Sequence, residues 1–159
     1  MTSHPLDQAL LDATLLDDIA AMRNALAGGG NVNARDPEHQ ETPLMLARSE
    51  AVVKLLLDNN ADLHAVNDWG QTALMYRPWR AIWERGGDIN AQSDAGKTPL
   101  MKAVMTGNPE RVGQVLSMGA DVLLKDGEGR TALDIALEWG LSGIAERLKA
   151  GFEEQEAAK

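Results

Sequence analysis

Residues 98–130 read TPLMKAVMTGNPERVGQVLSMGADVLLKDGEGR, and this stretch decides the fold. Leu100, Ala103 and Val104 fall at i, i+3 and i+4, as do Val112, Val115 and Leu116 after a Thr106-Gly107-Asn108-Pro109 turn. That spacing predicts two short amphipathic helices, because residues three and four apart share one helix face. The opening phrase Thr98-Pro99-Leu100-Met101 also returns, as Thr42-Pro43-Leu44-Met45, Thr72-Ala73-Leu74-Met75 and Thr131-Ala132-Leu133-Asp134. The successive intervals are 30, 26 and 33 residues. A phrase recurring at such a period marks stacked copies of one helical unit, each burying its apolar face against its neighbours.

A second phrase recurs out of phase with the first. It reads Gly30-Asn31-Val32-Asn33-Ala34, Ala61-Asp62-Leu63-His64-Ala65, Gly87-Asp88-Ile89-Asn90-Ala91 and Ala120-Asp121-Val122-Leu123-Leu124. Turn formers separate each from the following threonine: Asp68-Trp69-Gly70, Asp94-Ala95-Gly96 and Asp126-Gly127-Glu128-Gly129. Thr before Pro or Ala suits a helix start, where its hydroxyl can accept an orphan backbone amide. Small residues such as Ala47, Ala103 and Ala136 let paired helices approach closely.

The two phased phrases together resemble the ankyrin repeat, whose pattern is roughly D-x-x-G-x-T-P-L-H-x-A-A, a turn, a second helix and G-A-D-V-N-A. The resemblance covers about residues 6–150. It implies an all-α solenoid of stacked helix-turn-helix units joined by β-hairpin-like loops. The expected organisation is one domain over residues 1–159. A capping repeat occupies 6–41, a short repeat 42–71, a truncated repeat 72–97, a full-length repeat 98–130, a C-terminal capping repeat 131–150 and a frayed tail 151–159.

Within that frame, helices are expected from Leu6 to Leu16 and from Asp18 to Ala27, the second stopped by Gly28-Gly29-Gly30. In the truncated copy Arg77-Pro78 breaks the first helix, since proline offers no amide and displaces its predecessor from the α region. A second helix from Trp79 to Arg85 follows, with Trp79 and Trp83 expected to fill core volume. Met45, Met75 and Met101 stand where the family commonly has histidine, and are read as packing between repeats. Ile144, Leu148 and Ala150 are expected to close the last helix.

Composition narrows the function. Apolar residues make up 44% of the chain but aromatics only 4%, as suits thin layers of Leu, Val, Ile and Ala. Cysteine is absent, which removes disulfides, thiolate chemistry and Cys-based zinc sites. No apolar run approaches the ~18 residues of a membrane span, and Met1 to Gln8 lacks the marks of a signal peptide, so a cytoplasmic location is expected. The net charge is −9, with Asp and Glu outnumbering Lys and Arg 7 to 2 over residues 1–41 and 6 to 3 over 131–159, against 7 to 8 over 72–130. Acidity argues against nucleic acid, whose phosphates would be repelled, and would steer a basic protein surface toward the chain.

No catalytic constellation emerges. His4, His39 and His64 lie in different repeats without metal-ligand spacing, and Gly96-Lys97-Thr98 lacks the upstream glycine of a phosphate loop. No metal or cofactor is therefore expected. What remains is binding surface. In the family, partners meet the concave side, formed by hairpin tips and first-helix ends. Carried over residue by residue, the hairpin positions are His39, Gln40 and Glu41; Asp68, Trp69 and Gln71; Asp94, Ala95 and Lys97; and Gly127, Glu128 and Arg130. The helix-end positions are Arg48 and Ser49, Met105 and Thr106, and Glu138 and Trp139. Trp69 and Trp139 are the expected anchors, on one side of the stack, because tryptophan is enriched at binding hot spots. The expected function is a monomeric, non-catalytic module that binds one or more protein partners. An immunity- or antitoxin-like inhibitor of a toxic enzyme is the alternative, ahead of a small-ligand binder or an enzyme.

Overall fold

A computed structural model describes residues 4–157. All the regular elements among them are helical, and contacts gather them into two compact units, one ending at Gly87 and one beginning at Asp88. The boundary falls inside the truncated copy, whose two helices are only four and five residues long.

The first unit contains six helices: α1 (Pro5–Leu15), α2 (Ile19–Ala27), α3 (Pro43–Leu46), α4 (Glu50–Asp58), α5 (Ala73–Tyr76) and α6 (Arg80–Glu84). They form two rows, with α1, α3 and α5 in contact along one and α2, α4 and α6 along the other. The core between the rows is aliphatic: Leu10, Met22, Val52, Val53, Leu56 and Ile82 are fully buried, and Leu44 nearly so. Met45, Met75 and Ala47 are buried with them, in keeping with the packing role expected for the methionines. The second unit contains α7 (Pro99–Met105), α8 (Pro109–Ser117), α9 (Ala132–Glu138) and α10 (Ser142–Ala157). Its core gathers Leu100, Met101, Val104, Val112, Val115, Ile135 and Leu148.

Local chemistry sets the helix ends. Asp18, Ser49 and Asn108 each accept the amide of a residue in the first turn of α2, α4 and α8, at 2.9, 3.3 and 2.9 Å for the closest contact. After α2, Gly29 adopts φ +95°, and a Cβ on Gly30 would meet the Ala25 carbonyl oxygen at 2.9 Å, so glycine is required where the chain doubles back. The threonines divide into two pairs. Thr98 and Thr131 accept the amides of Met101 and Asp134, both at 3.2 Å, and the Asp134 carboxylate accepts in return from the Thr131 amide at 2.8 Å. Thr42 and Thr72 stand at the same helix-start position, but their buried hydroxyl oxygens have no hydrogen-bond partner among the described residues. An orphan buried hydroxyl costs about 1–3 kcal/mol. Thr72→Val should therefore leave stability unchanged or raise it by up to about 1 kcal/mol, whereas Thr131→Val should lower it by about 1 kcal/mol. Urea unfolding midpoints for the two variants check the opposite signs.

Three expectations need correction. Trp79 and Trp83 do not form the core of the truncated copy; both are half-buried, and fully buried Ile82 takes that place. Helix periodicity is too short over five residues to tell which side chain turns inward. Ala150 is exposed, so Ile144, Ala145 and Leu148 close the last helix. The stretch from residue 151 is helical through Ala157 rather than frayed. Its hold is a side-chain clasp: the Gln155 carboxamide accepts from the Val122 amide at 3.0 Å and donates to the Ala120 carbonyl at 3.1 Å. Residues 158 and 159 of the expected tail lie outside the described residues.

Candidate functional site

The hairpin loops carry most of the expected binding positions, and each is closed by one small polar side chain. Asp36 accepts the amides of His39 and Glu41; Asn67 those of Trp69 and Gln71; Ser93 that of Lys97; and Asp126 those of Glu128 and Arg130, all at 2.9–3.1 Å. These residues lie six positions before Thr42 and five before Thr72, Thr98 and Thr131. The side chain substitutes for a backbone partner and fixes the turn. Sequence reading picked Asp126 among the turn formers but missed Asp36, Asn67 and Ser93, although a small polar residue five or six positions before each threonine was the available signal.

Neighbouring hairpins are tied together within each unit. In the first, the Asp68 amide donates to the His39 carbonyl at 3.1 Å, and the Arg35 guanidinium donates to the Gln40 and Val66 carbonyls at 2.9 and 2.6 Å. The rings of His39 and Trp69 meet with centroids 4.7 Å apart and planes tilted by 45°. Below them Tyr76 donates its hydroxyl to the Glu41 carboxylate and accepts from Asn67 at 2.8 Å. Burial, then the hydrogen bond to Glu41, push the Tyr76 hydroxyl well above the usual phenol range, so it stays protonated. Trp69 keeps 45% of its surface exposed despite its contact with His39.

In the second unit the Gly127 amide donates to the Ala95 carbonyl at 2.9 Å, and Gln92 donates to the Gly96 and Lys125 carbonyls. A Cβ on Gly96, which sits at φ +71°, would approach the Gly127 amide nitrogen to 2.7 Å, so the hairpins meet only because a glycine is there. At their junction the Asp126 side chain is wholly buried and holds Lys97 at 2.5 Å and Arg130 at 3.2 Å. Arg130 reaches on to Glu128 at 2.8 Å and Glu138 at 3.2 Å. Burial alone would raise the Asp126 carboxyl. The Lys97 ammonium, the amides of Arg130 and Glu128 and the Arg130 guanidinium outweigh it and hold the group far below the usual carboxylate range.

The expected positions thus fall into three groups. His39 with Trp69, and Glu41 with Tyr76, are brought together in the first unit. Lys97, Glu128, Arg130 and Glu138 join one ionic network in the second, in which the two half-buried cations are paired with Asp126. Arg48, Asp68 and Asp94 are exposed, Gln71 and Met105 half-buried, and Thr106 caps α7 with its hydroxyl on the Ala103 carbonyl at 2.6 Å. Trp139, at the end of α9, is 53% exposed. Sequence reading also missed Leu16, which ends α1 with 78% of its surface exposed. Among the described residues no group of three or more His, Asp or Glu side chains converges to hold a metal, and no helix is long and apolar enough to cross a membrane.

Comparison with known families matches this architecture. A profile of ankyrin repeats, in three copies, covers residues 80–156, and a single ankyrin repeat covers 39–68. The chain belongs to the ankyrin repeat family. Its repeats are 29% identical over 144 residues to the transient receptor potential cation channel subfamily A member 1 homolog of Caenorhabditis elegans, covering 77% of this chain and 12% of that protein. They are 32% identical over 122 residues to human Rabankyrin-5, covering 76% of this chain and 9% of that protein. A putative E3 ubiquitin-protein ligase of Arabidopsis thaliana, XBAT34, is 30% identical over 108 residues, with 62% of this chain and 29% of that protein covered. The chain spans a small part of each relative. What they share with this chain is the repeat, and ankyrin repeats are general protein-protein interaction modules.

Proposed function

We propose that this ankyrin repeat chain is a non-catalytic module that grips a protein partner through its hairpin tips and the ends of its first helices. The observation that carries this reading is the exposure of two tryptophans at such positions, Trp69 on a hairpin and Trp139 at the end of α9, each about half open to solvent. Exposed tryptophan supplies large apolar area at small entropic cost, which is why it dominates binding hot spots. Around them the loops are stiff: Asn67 and Asp126 each fix two amides, and ordered loops lose little entropy on binding. Exposed Arg48 and Asp68 in the first unit, and exposed Asp94 in the second, add polar positions to each unit's own hairpins and helix ends.

The test compares the wild-type chain with the Trp69→Ala/Trp139→Ala variant as baits in a lysate of the native host, with retained proteins quantified by mass spectrometry and the affinity for the leading candidate then measured by calorimetry. Loss of both rings is expected to weaken that affinity by ~2 kcal/mol or more, roughly thirtyfold in Kd. The far-UV spectrum and melting temperature should be unchanged, because neither ring is core. A partner retained equally by both proteins would overturn the assignment of this surface.

A further inference from the structure

The truncated copy departs from its neighbours in charge as well as in length. Residues 77–85 carry Arg77, Arg80 and Arg85 against a single acid, Glu84, in a chain whose net charge is −9. The same nine residues hold Trp79 and Trp83, half of the tryptophans in the protein. Filling the core would explain those rings, but fully buried Ile82 occupies that position and both rings keep part of their surface exposed.

These residues follow one another along a short strip of chain at and just before α6. Trp79 precedes α6 and Trp83 lies one turn further on, with the Trp83 amide bonded to the Trp79 carbonyl at 3.3 Å. Arg80 lies over the Trp83 ring, its guanidinium carbon 5.5 Å from the ring centroid, and pairs with Glu84 at 2.9 Å while keeping 63% of its side chain exposed. Arg77 is linked to Trp79 through the backbone at 2.8 Å; it is exposed, and its guanidinium makes no ion pair or hydrogen bond among the described residues. Arg85 pairs with Asp58 of α4, so the strip continues the row made by α4 and α6. It shares none of the residues named for the partner surface above.

We infer that this strip, built on Arg77, Trp79, Arg80 and Trp83, is a second docking surface, and that it takes an acidic protein segment in which Asp or Glu alternates with apolar side chains. Charge complementarity selects the occupant. Carboxylates are disfavoured by both acidic ends of the chain, whereas three arginines stand against one acid over residues 77–85, where planar guanidinium groups can take a carboxylate two oxygens at a time. The half-open indoles supply the apolar contact that a purely ionic site lacks. A polyphosphate backbone would bring many charges into the field of a −9 chain, whereas a short peptide brings only those the strip can meet.

The probe is a short fluorescein-labelled peptide in which glutamate alternates with leucine and phenylalanine, read by fluorescence anisotropy against the full chain. The controls are the same peptide with glutamine for glutamate, and labelled oligo-dT. The glutamate peptide should bind at ~50 mM salt and weaken severalfold by ~300 mM. The glutamine peptide and oligo-dT should bind at least tenfold more weakly. Arg77→Glu/Arg80→Glu should reduce binding about tenfold or more; both side chains are exposed, so the fold should hold, as an unchanged melting temperature would verify. The Trp69→Ala/Trp139→Ala variant should bind the glutamate peptide as well as the wild type, which separates this surface from the hairpin surface. Equal binding of the glutamine peptide, tighter binding of oligo-dT, or full binding by the arginine variant would each overturn the inference.

Discussion

Asp126→Ala is expected to lower the unfolding free energy by about 3 kcal/mol, read from the urea midpoint with the slope unchanged. Removing one member of a buried ion pair costs about 3–5 kcal/mol because the partner charge is left without compensation. Here Lys97 and Arg130 keep 15% and 27% of their side chains exposed and can recover part of their hydration, which places the figure at the lower end. The substitution also frees the amides of Glu128 and Arg130 and loosens the hairpin that they close. Asp126→Asn should cost less, since its oxygen can still accept those amides. The gap between wild type and Asp126→Asn has a defined pH dependence. The folded carboxyl titrates far below its ordinary range, so its stabilisation is complete at neutral pH and shrinks as the pH falls below about 4, where the unfolded chain begins to take up the proton. The two unfolding curves should therefore converge from pH ~5 toward pH ~2. A constant gap would mean that charge plays no part in the Asp126 junction.

Ile82→Ala carries the second large effect, a loss of about 3 kcal/mol. Ile82 is fully buried and is the one buried residue of a helix of five. Its side chain also lies against Gly87, where a Cβ would come within 2.7 Å of an isoleucine methyl carbon. Trp83→Leu, by contrast, should stay within about 1 kcal/mol, because the half-open indole leaves no closed cavity behind. If the tryptophan substitution costs more than the isoleucine one, the core of the truncated copy is centred on the ring after all. Guanidinium or urea titration of both variants decides between them.

Much of the fold was legible because its signals are local. Thr98, Thr131, Asn108 and the glycines after residue 27 fix helix ends through neighbours two to five residues away, and α2, α5, α6 and α7 begin and end within two residues of the positions expected from the sequence. The fourfold phrase supplied the stacking. What stayed hidden depends on distant groups. Asp36, Asn67, Ser93 and Asp126 do one job with three residue types, so no repeated letter advertises them. Lys97 and Arg130 read as surface charges until Asp126, whose side chain is wholly buried, draws both inward. The burial of Ile82 in preference to Trp83 depends on α4 alongside, which a five-residue pattern cannot report.

The Gln155 clasp has a practical corollary. Its carboxamide offers one donor and one acceptor to the peptide groups of Ala120 and Val122. Any redesign of the far end of α10 has to keep that glutamine or give up its latch on the loop after α8.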